Sequence, residues 1–152
     1  MTPWEELAVG TETGRITLTV TAAAIDEYNA ATGDTHPWFA AGAAADSPYG
    51  TRVAPPDMLP KLAMDALFQD FLGRVVGRNM RAKQEFSFHA PLPVGSVVTA
   101  VGHLVERYER RGKRFITLEG TFRDQDGRVV LVDRRTQYIP QPAPGPASHD
   151  AR

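Results

Sequence analysis

The chain has 152 residues, a formal net charge of −1 and no cysteine. The length suffices for one domain with a hydrophobic core. The charge balance excludes recognition of nucleic acid or a membrane surface by bulk charge, and the lack of cysteine excludes disulfides, thiolate metal sites and a cysteine nucleophile.

No apolar run is long enough to span a bilayer. The segment Met1-Thr2-Pro3-Trp4-Glu5-Glu6 is acidic and has no apolar core, so no secretory signal is expected and a cytoplasmic protein is the simplest reading. Arg15 to Val20 alternates as a half-buried strand does. Thr21 is a good N-cap for a helix over Ala22–Thr32, with Ile25 and Tyr28 on one face. Ala40 to Ala54 reads as an overhanging loop with a short helix around Ala43.

Pro55-Pro56-Asp57 opens the strongest helix, because proline suits a first helical turn and an acid suits a helix N-terminus. Leu59, Leu62, Ala63, Ala66, Leu67 and Phe71 keep helical spacing, and Met58, Met64 and Phe68 widen the apolar surface. A helix from Asp57 to Leu72, buried on most sides and ended by Gly73 and Gly77, is expected. On this reading Leu62→Asp abolishes folding.

Four strands follow: Met80–His89, Ser96–Tyr108 with apolar positions at Val98, Val101 and Leu104, Arg114–Arg123, and Arg128–Ile139. Asp126-Gly127 is the sharpest hairpin signal. The Pro-rich tail, residues 141–152, is expected to be disordered and lies outside the folded domain, residues 1–140. One long helix with an antiparallel sheet wrapped around it is an α+β arrangement of two layers.

The passage Tyr28-Asn-Ala-Ala-Thr-Gly-Asp-Thr-His-Pro-Trp-Phe39 carries the most chemistry. Gly33 ends the helix and Pro37 disfavours helix at His36, so Asp34 and His36 should sit on a fixed turn. Asp34 is then either half of a proton-transfer pair or a turn former bonded to the backbone ahead of it. His36, His89 and His103 are the imidazoles of the folded part. His103, within a long strand, reads as structural, and His149 lies in the tail.

This passage resembles the hydratase motif of the MaoC-like hot-dog dehydratases and hydratases, an aromatic followed by Gly-Asp-x-Asn-Pro-x-His. Val53-Ala54-Pro55-Pro56 is similar to the Ala-Pro-Pro entry of the central helix in N-terminal dehydratase domains of the fatty-acid-synthase-like type. Phe86 to Ser96 is similar to the family's Phe-x-x-Pro-Val-x-x-Gly-Asp passage. The likeness runs from about Ile16 to Ile139. It implies a single hot-dog domain and a hydro-lyase acting on an enoyl or 3-hydroxyacyl thioester of CoA or acyl carrier protein. It also implies a homodimer, or a heterodimer with another hot-dog chain, and no cofactor. No metal site, nucleic-acid partner or membrane partner is assigned.

In the family motif the aspartate and histidine stand five positions apart. Asp34 fits the aspartate, Phe39 holds the histidine position, and His36 holds the asparagine position. Two readings stand. In the first, Asp34 and His36 carry proton transfer. In the second, the site is degenerate and this chain holds the acyl group while a partner supplies the catalytic pair. A hot-dog enzyme turned to thioester hydrolysis or conjugate addition would use the same oxyanion site. Trp38, Phe39, Gly50, Asp57, Met58 and His89 are the expected substrate-binding residues, the main-chain N–H groups near Gly50 and Asp57 serving as oxyanion donors. Leu62 and Phe68 join them in setting tunnel depth. Arg52, Arg78, Arg81 and Lys83 are candidate contacts for the CoA or carrier-protein arm.

Overall fold

The computed structural model describes residues 2–42 and 47–141. The helix expected around Ala43 and nearly all of the Pro-rich tail lie outside the described residues. The elements are β1 (Glu12–Thr19), α1 (Ala22–Thr32), a 3₁₀ turn (Pro37–Phe39), α2 (Met58–Met64), β2 (Met80–Phe88), β3 (Val97–Arg110), β4 (Lys113–Arg123) and β5 (Val129–Ile139). All strand pairings are antiparallel, in the order β1-β3-β4-β5-β2. The sheet wraps around one long helix, as the hot-dog arrangement requires.

α1 has the expected ends. The Thr21 hydroxyl accepts from the Ala24 N–H at 3.1 Å, and Gly33 closes the helix in the left-handed region at φ 72°. α2 runs on through wider π turns at Asp65–Gln69 and Leu72–Val76, so the rod spans 58–76. Gly73 does not stop it. Gly77 does, at φ 78°, with its N–H donating to the Leu72 carbonyl at 2.7 Å.

Met58, Leu59, Ala63, Leu67, Phe68, Phe71, Leu72 and Val76 are buried in the core. Leu62 is not: it is 48% exposed. It lies one turn from both Met58 and Ala66, on the same stripe. The periodicity therefore marks the apolar stripe correctly, but the stripe is wider than the surface that the described residues cover. The expectation that the helix is buried on most sides, and that Leu62→Asp abolishes folding, is corrected accordingly.

β3 shows a second difference. Val98, Ala100, Gly102 and Leu104 face the core, while Val101 lies on the opposite face. Gly14, Gly102 and Gly120 stand side by side on β1, β3 and β4, and Asp133 of β5 continues the row. The helix beds down on this row. A Cβ at Gly14 would strike the Ala66 carbonyl oxygen, and one at Gly120 would lie 3.1 Å from both Leu67 and Phe68. Thr13 fastens the same place, its hydroxyl donating to the Leu67 carbonyl at 2.8 Å. π turns recur at functional sites because they disturb the regular ladder; here one of them carries Phe68 to the sheet.

β2 closes one edge of the sheet, exposed at every position except the half-buried Gln84. Phe86 and Phe88 on it are 40% and 50% exposed. An open edge with apolar side chains is a surface that proteins ordinarily pair or cover.

Candidate functional site

The loop after α1 is pinned at its far end. The Phe39 carbonyl accepts from Arg52 Nε at 2.7 Å and from Asn29 Nδ2 at 3.0 Å. Arg52 is buried, and its guanidinium also meets Asp26 at 2.5 Å. It therefore anchors the loop rather than presenting a free charge to a CoA arm. Lys83 pairs with Glu85 at 2.8 Å, whereas Arg78 and Arg81 lie exposed.

Within the loop, Asp34 Oδ1 accepts from the His36 main-chain N–H at 2.9 Å. His36 Nδ1 accepts from the Trp38 N–H at 3.2 Å. These are turn and cap contacts; no side-chain bond joins Asp34 to His36 among the described residues. A neutral imidazole has one acceptor nitrogen and one N–H. With Nδ1 accepting, Nε2 carries the proton. The His36 ring packs edge-on against Trp38 at 5.0 Å and tilted against Phe39 at 4.9 Å.

Trp38 and Phe39 wall a cavity of 310 Å³. Its other walls include Tyr49, Pro55, Pro56 and Leu59 on the helix approach, and Phe88, His89 and Leu131 on the sheet side. The lining is mainly apolar, as small-molecule sites generally are. Of the expected site residues, Trp38, Phe39 and His89 line it. Asp34 and His36 do not line it, although the His36 ring packs on both wall residues. Gly50, Asp57 and Met58 do not line it, and Met58 is fully buried in the core.

The expected oxyanion donors are largely engaged. The Gly50 N–H donates to the Ser47 carbonyl at 3.0 Å, the Tyr49 N–H to Ser47 Oγ at 3.2 Å, and the Met58 N–H to the Pro55 carbonyl at 3.1 Å. Among the described residues nothing accepts from the Asp57 N–H at the start of α2.

Sequence reasoning missed two features. Tyr28 lies with its hydroxyl beside the Asp57 carboxylate. Burial, then Asp57, then the more distant Asp34 push that hydroxyl up to about 12, so it stays protonated at neutral pH. The second is a buried polar group on β5, Asp133 with Arg135. The signal was present in the sequence: Asp133, Arg135 and Gln137 share one parity in an otherwise ordinary strand.

The family model described as FAS1-like, dehydratase domain region, matches residues 7–132. The chain belongs to this family. The FAS1-like dehydratase chain is also 29% identical over 113 residues to a UPF0336 protein of Saccharopolyspora erythraea, covering 72% of each. Among solved structures it is similar to the C-terminally truncated HadBC (3R-hydroxyacyl-ACP dehydratase) complex from Mycobacterium tuberculosis. There the TM-score is 0.72 at 26% identity, over 86% of this chain and 96% of that one. The (R)-hydratase from A. caviae involved in PHA biosynthesis gives a TM-score of 0.71 at 24% identity, over 90% and 99% of the two chains. The hot-dog fold follows for the FAS1-like dehydratase chain.

Proposed function

We propose that this chain is the acyl-binding subunit of a hydro-lyase acting on enoyl or 3-hydroxyacyl thioesters, and that a second hot-dog chain supplies the proton-transfer pair. One observation carries the reading: a phenylalanine, Phe39, walls the cavity at the position where the motif places its histidine.

Hydration needs a base to take a proton from water as its oxygen bonds to C3, and an acid to protonate C2. It also needs donors for the enolate-like thioester oxygen. Phe39 moves no protons. The Asp34 carboxylate holds a turn, and His36 spends its acceptor nitrogen on the main chain. The chain retains an apolar cavity, and next in sequence to its wall residues Pro55 and Pro56 the Asp57 N–H has no acceptor among the described residues. The chain also retains an uncovered edge strand and an uncovered Leu62, which together offer a seat for a partner.

A second reading keeps catalysis within this chain, with Asp34 and His36 as the proton-transfer pair. The observation favouring it is the packing of the His36 ring on two cavity-wall residues, Trp38 and Phe39.

The deciding experiment is hydration of crotonyl-CoA by the purified chain alone and after mixing with a hot-dog chain that carries the intact five-position Asp-to-His spacing. The subunit reading expects activity in the mixture and none above background alone. Full turnover by the chain alone overturns it and returns the chemistry to Asp34 and His36.

A further inference from the structure

We infer that Asp133, Arg135 and Phe68, which do not themselves line the acyl cavity, block its extension along β5 and the central helix, so that the site selects short acyl groups and rejects long unbranched tails. This rests on reading the cavity as the acyl-thioester site.

The cavity is walled by Leu59 on the helix and Leu131 on β5. From Leu59 to Phe68 the helix rises about 13 Å. From Leu131 to Arg135 the strand advances about 13 Å. Helix and strand therefore run the same way from the cavity, and they meet again where the Arg135 guanidinium stacks 4.8 Å from the Phe68 ring centre.

Between the two points the inward position on β5 is Asp133. It is 0% exposed, and Arg135 is 4% exposed. Asp133 accepts from Arg135 Nε at 2.8 Å, from a second Arg135 nitrogen, and from Gln84 Nε2 at 3.1 Å. Gln137, the next inward residue, is buried with its carbonyl oxygen unpartnered among the described residues. An extending alkyl tail would thus have to displace an aromatic plug and strip bonded charges of their partners, which is costly.

Stability does not account for such a group. A buried ion pair can usually be replaced by apolar side chains of similar size at little or no loss. The cavity volume of 310 Å³ is also at the small end for ligand sites, which run from about 300 to 1,000 Å³.

The test measures binding of butyryl-, octanoyl- and dodecanoyl-CoA to the whole chain, below their aggregation limits. In an open tunnel each added methylene tightens binding by about fourfold. The closed cavity expects no gain beyond butyryl-CoA. Two variants open it by trimming the side chains that fill the space: Asp133→Ala combined with Arg135→Ala, and Phe68→Ala. In either one, if its melting temperature stays near native, affinity for dodecanoyl-CoA should rise at least about tenfold relative to butyryl-CoA.

A merely structural role for the pair would move melting temperature and leave the chain-length profile alone. Tighter binding of dodecanoyl-CoA by the unaltered chain overturns the inference, as does an unchanged profile in a folded variant. Absence of binding to all three thioesters overturns the acyl-site reading itself, and the inference falls with it.

Discussion

The Trp38 N–H lies 3.2 Å from His36 Nδ1, and this contact governs what the imidazole can do. A neutral ring has one acceptor nitrogen, and here it is already occupied. His36→Ala should therefore cost about 1 kcal/mol or less, the worth of an exposed cap. If hydratase activity is found in a mixture with a partner chain, the loss of rate should stay below tenfold, against roughly 100- to 10,000-fold for a lost general base. Phe39→His rebuilds the family spacing next to Asp34 and should bring measurable crotonyl-CoA hydration to the chain alone. Tyr28 offers a pH test. Its folded-state value is raised from 10.0 to about 12, so the protonated hydroxyl is favoured by folding. That contribution is complete below pH 10 and is lost as pH rises towards 12. Melting temperatures taken across this range should fall more steeply for the unaltered chain than for Tyr28→Phe.

At the scale of elements, the central helix sorts its side chains by what lies over them. Leu67 is fully buried between the glycine row and Phe68, so Leu67→Asp should abolish folding by burying an unpaired charge. Leu62→Asp should leave the fold and melting temperature near native, and should instead weaken association with a partner. Circular dichroism and light scattering on the two variants separate these outcomes. The ends of the elements were legible in the sequence, because Thr21, Gly33 and Asp126-Gly127 act through local geometry. The exposure of Leu62 was not, since periodicity reports which stripe is apolar and not how much of it one chain covers. The π turns were equally hidden. The first, Asp65–Gln69, lies where Ala66 and Leu67 seat against Thr13 and Gly14, a contact between residues far apart in the chain.

For the whole molecule, the free β2 edge, Phe86, Phe88 and Leu62 should be covered in a dimer with a second copy or with another hot-dog chain. A stable monomer in light scattering that binds ligand fully would contradict this. The motif passages in the sequence pointed to the fold and to the cavity walls Trp38, Phe39 and His89. They held open the Asp34 turn contact, which the structure shows, but not the main-chain partner of His36 Nδ1, because spacing does not say which way an imidazole turns. Nor did they reveal the Asp133–Arg135 pair. Charged residues on a strand are read as solvent-facing by default, and only the register against Gly120 and Leu118 turns these inward.

The glycine row has a genetic consequence. At Gly120 an added methyl group meets the side chains of Leu67, Phe68 and Phe122, all of which can be trimmed. At Gly14 it meets the main chain of Ala66 and Leu67, which no substitution shortens. A defect from Gly120→Ala should therefore be suppressible by a second mutation such as Leu67→Val. Gly14→Ala, expected to cost about 3 kcal/mol or more, should yield only revertants of the original codon when survivors are selected.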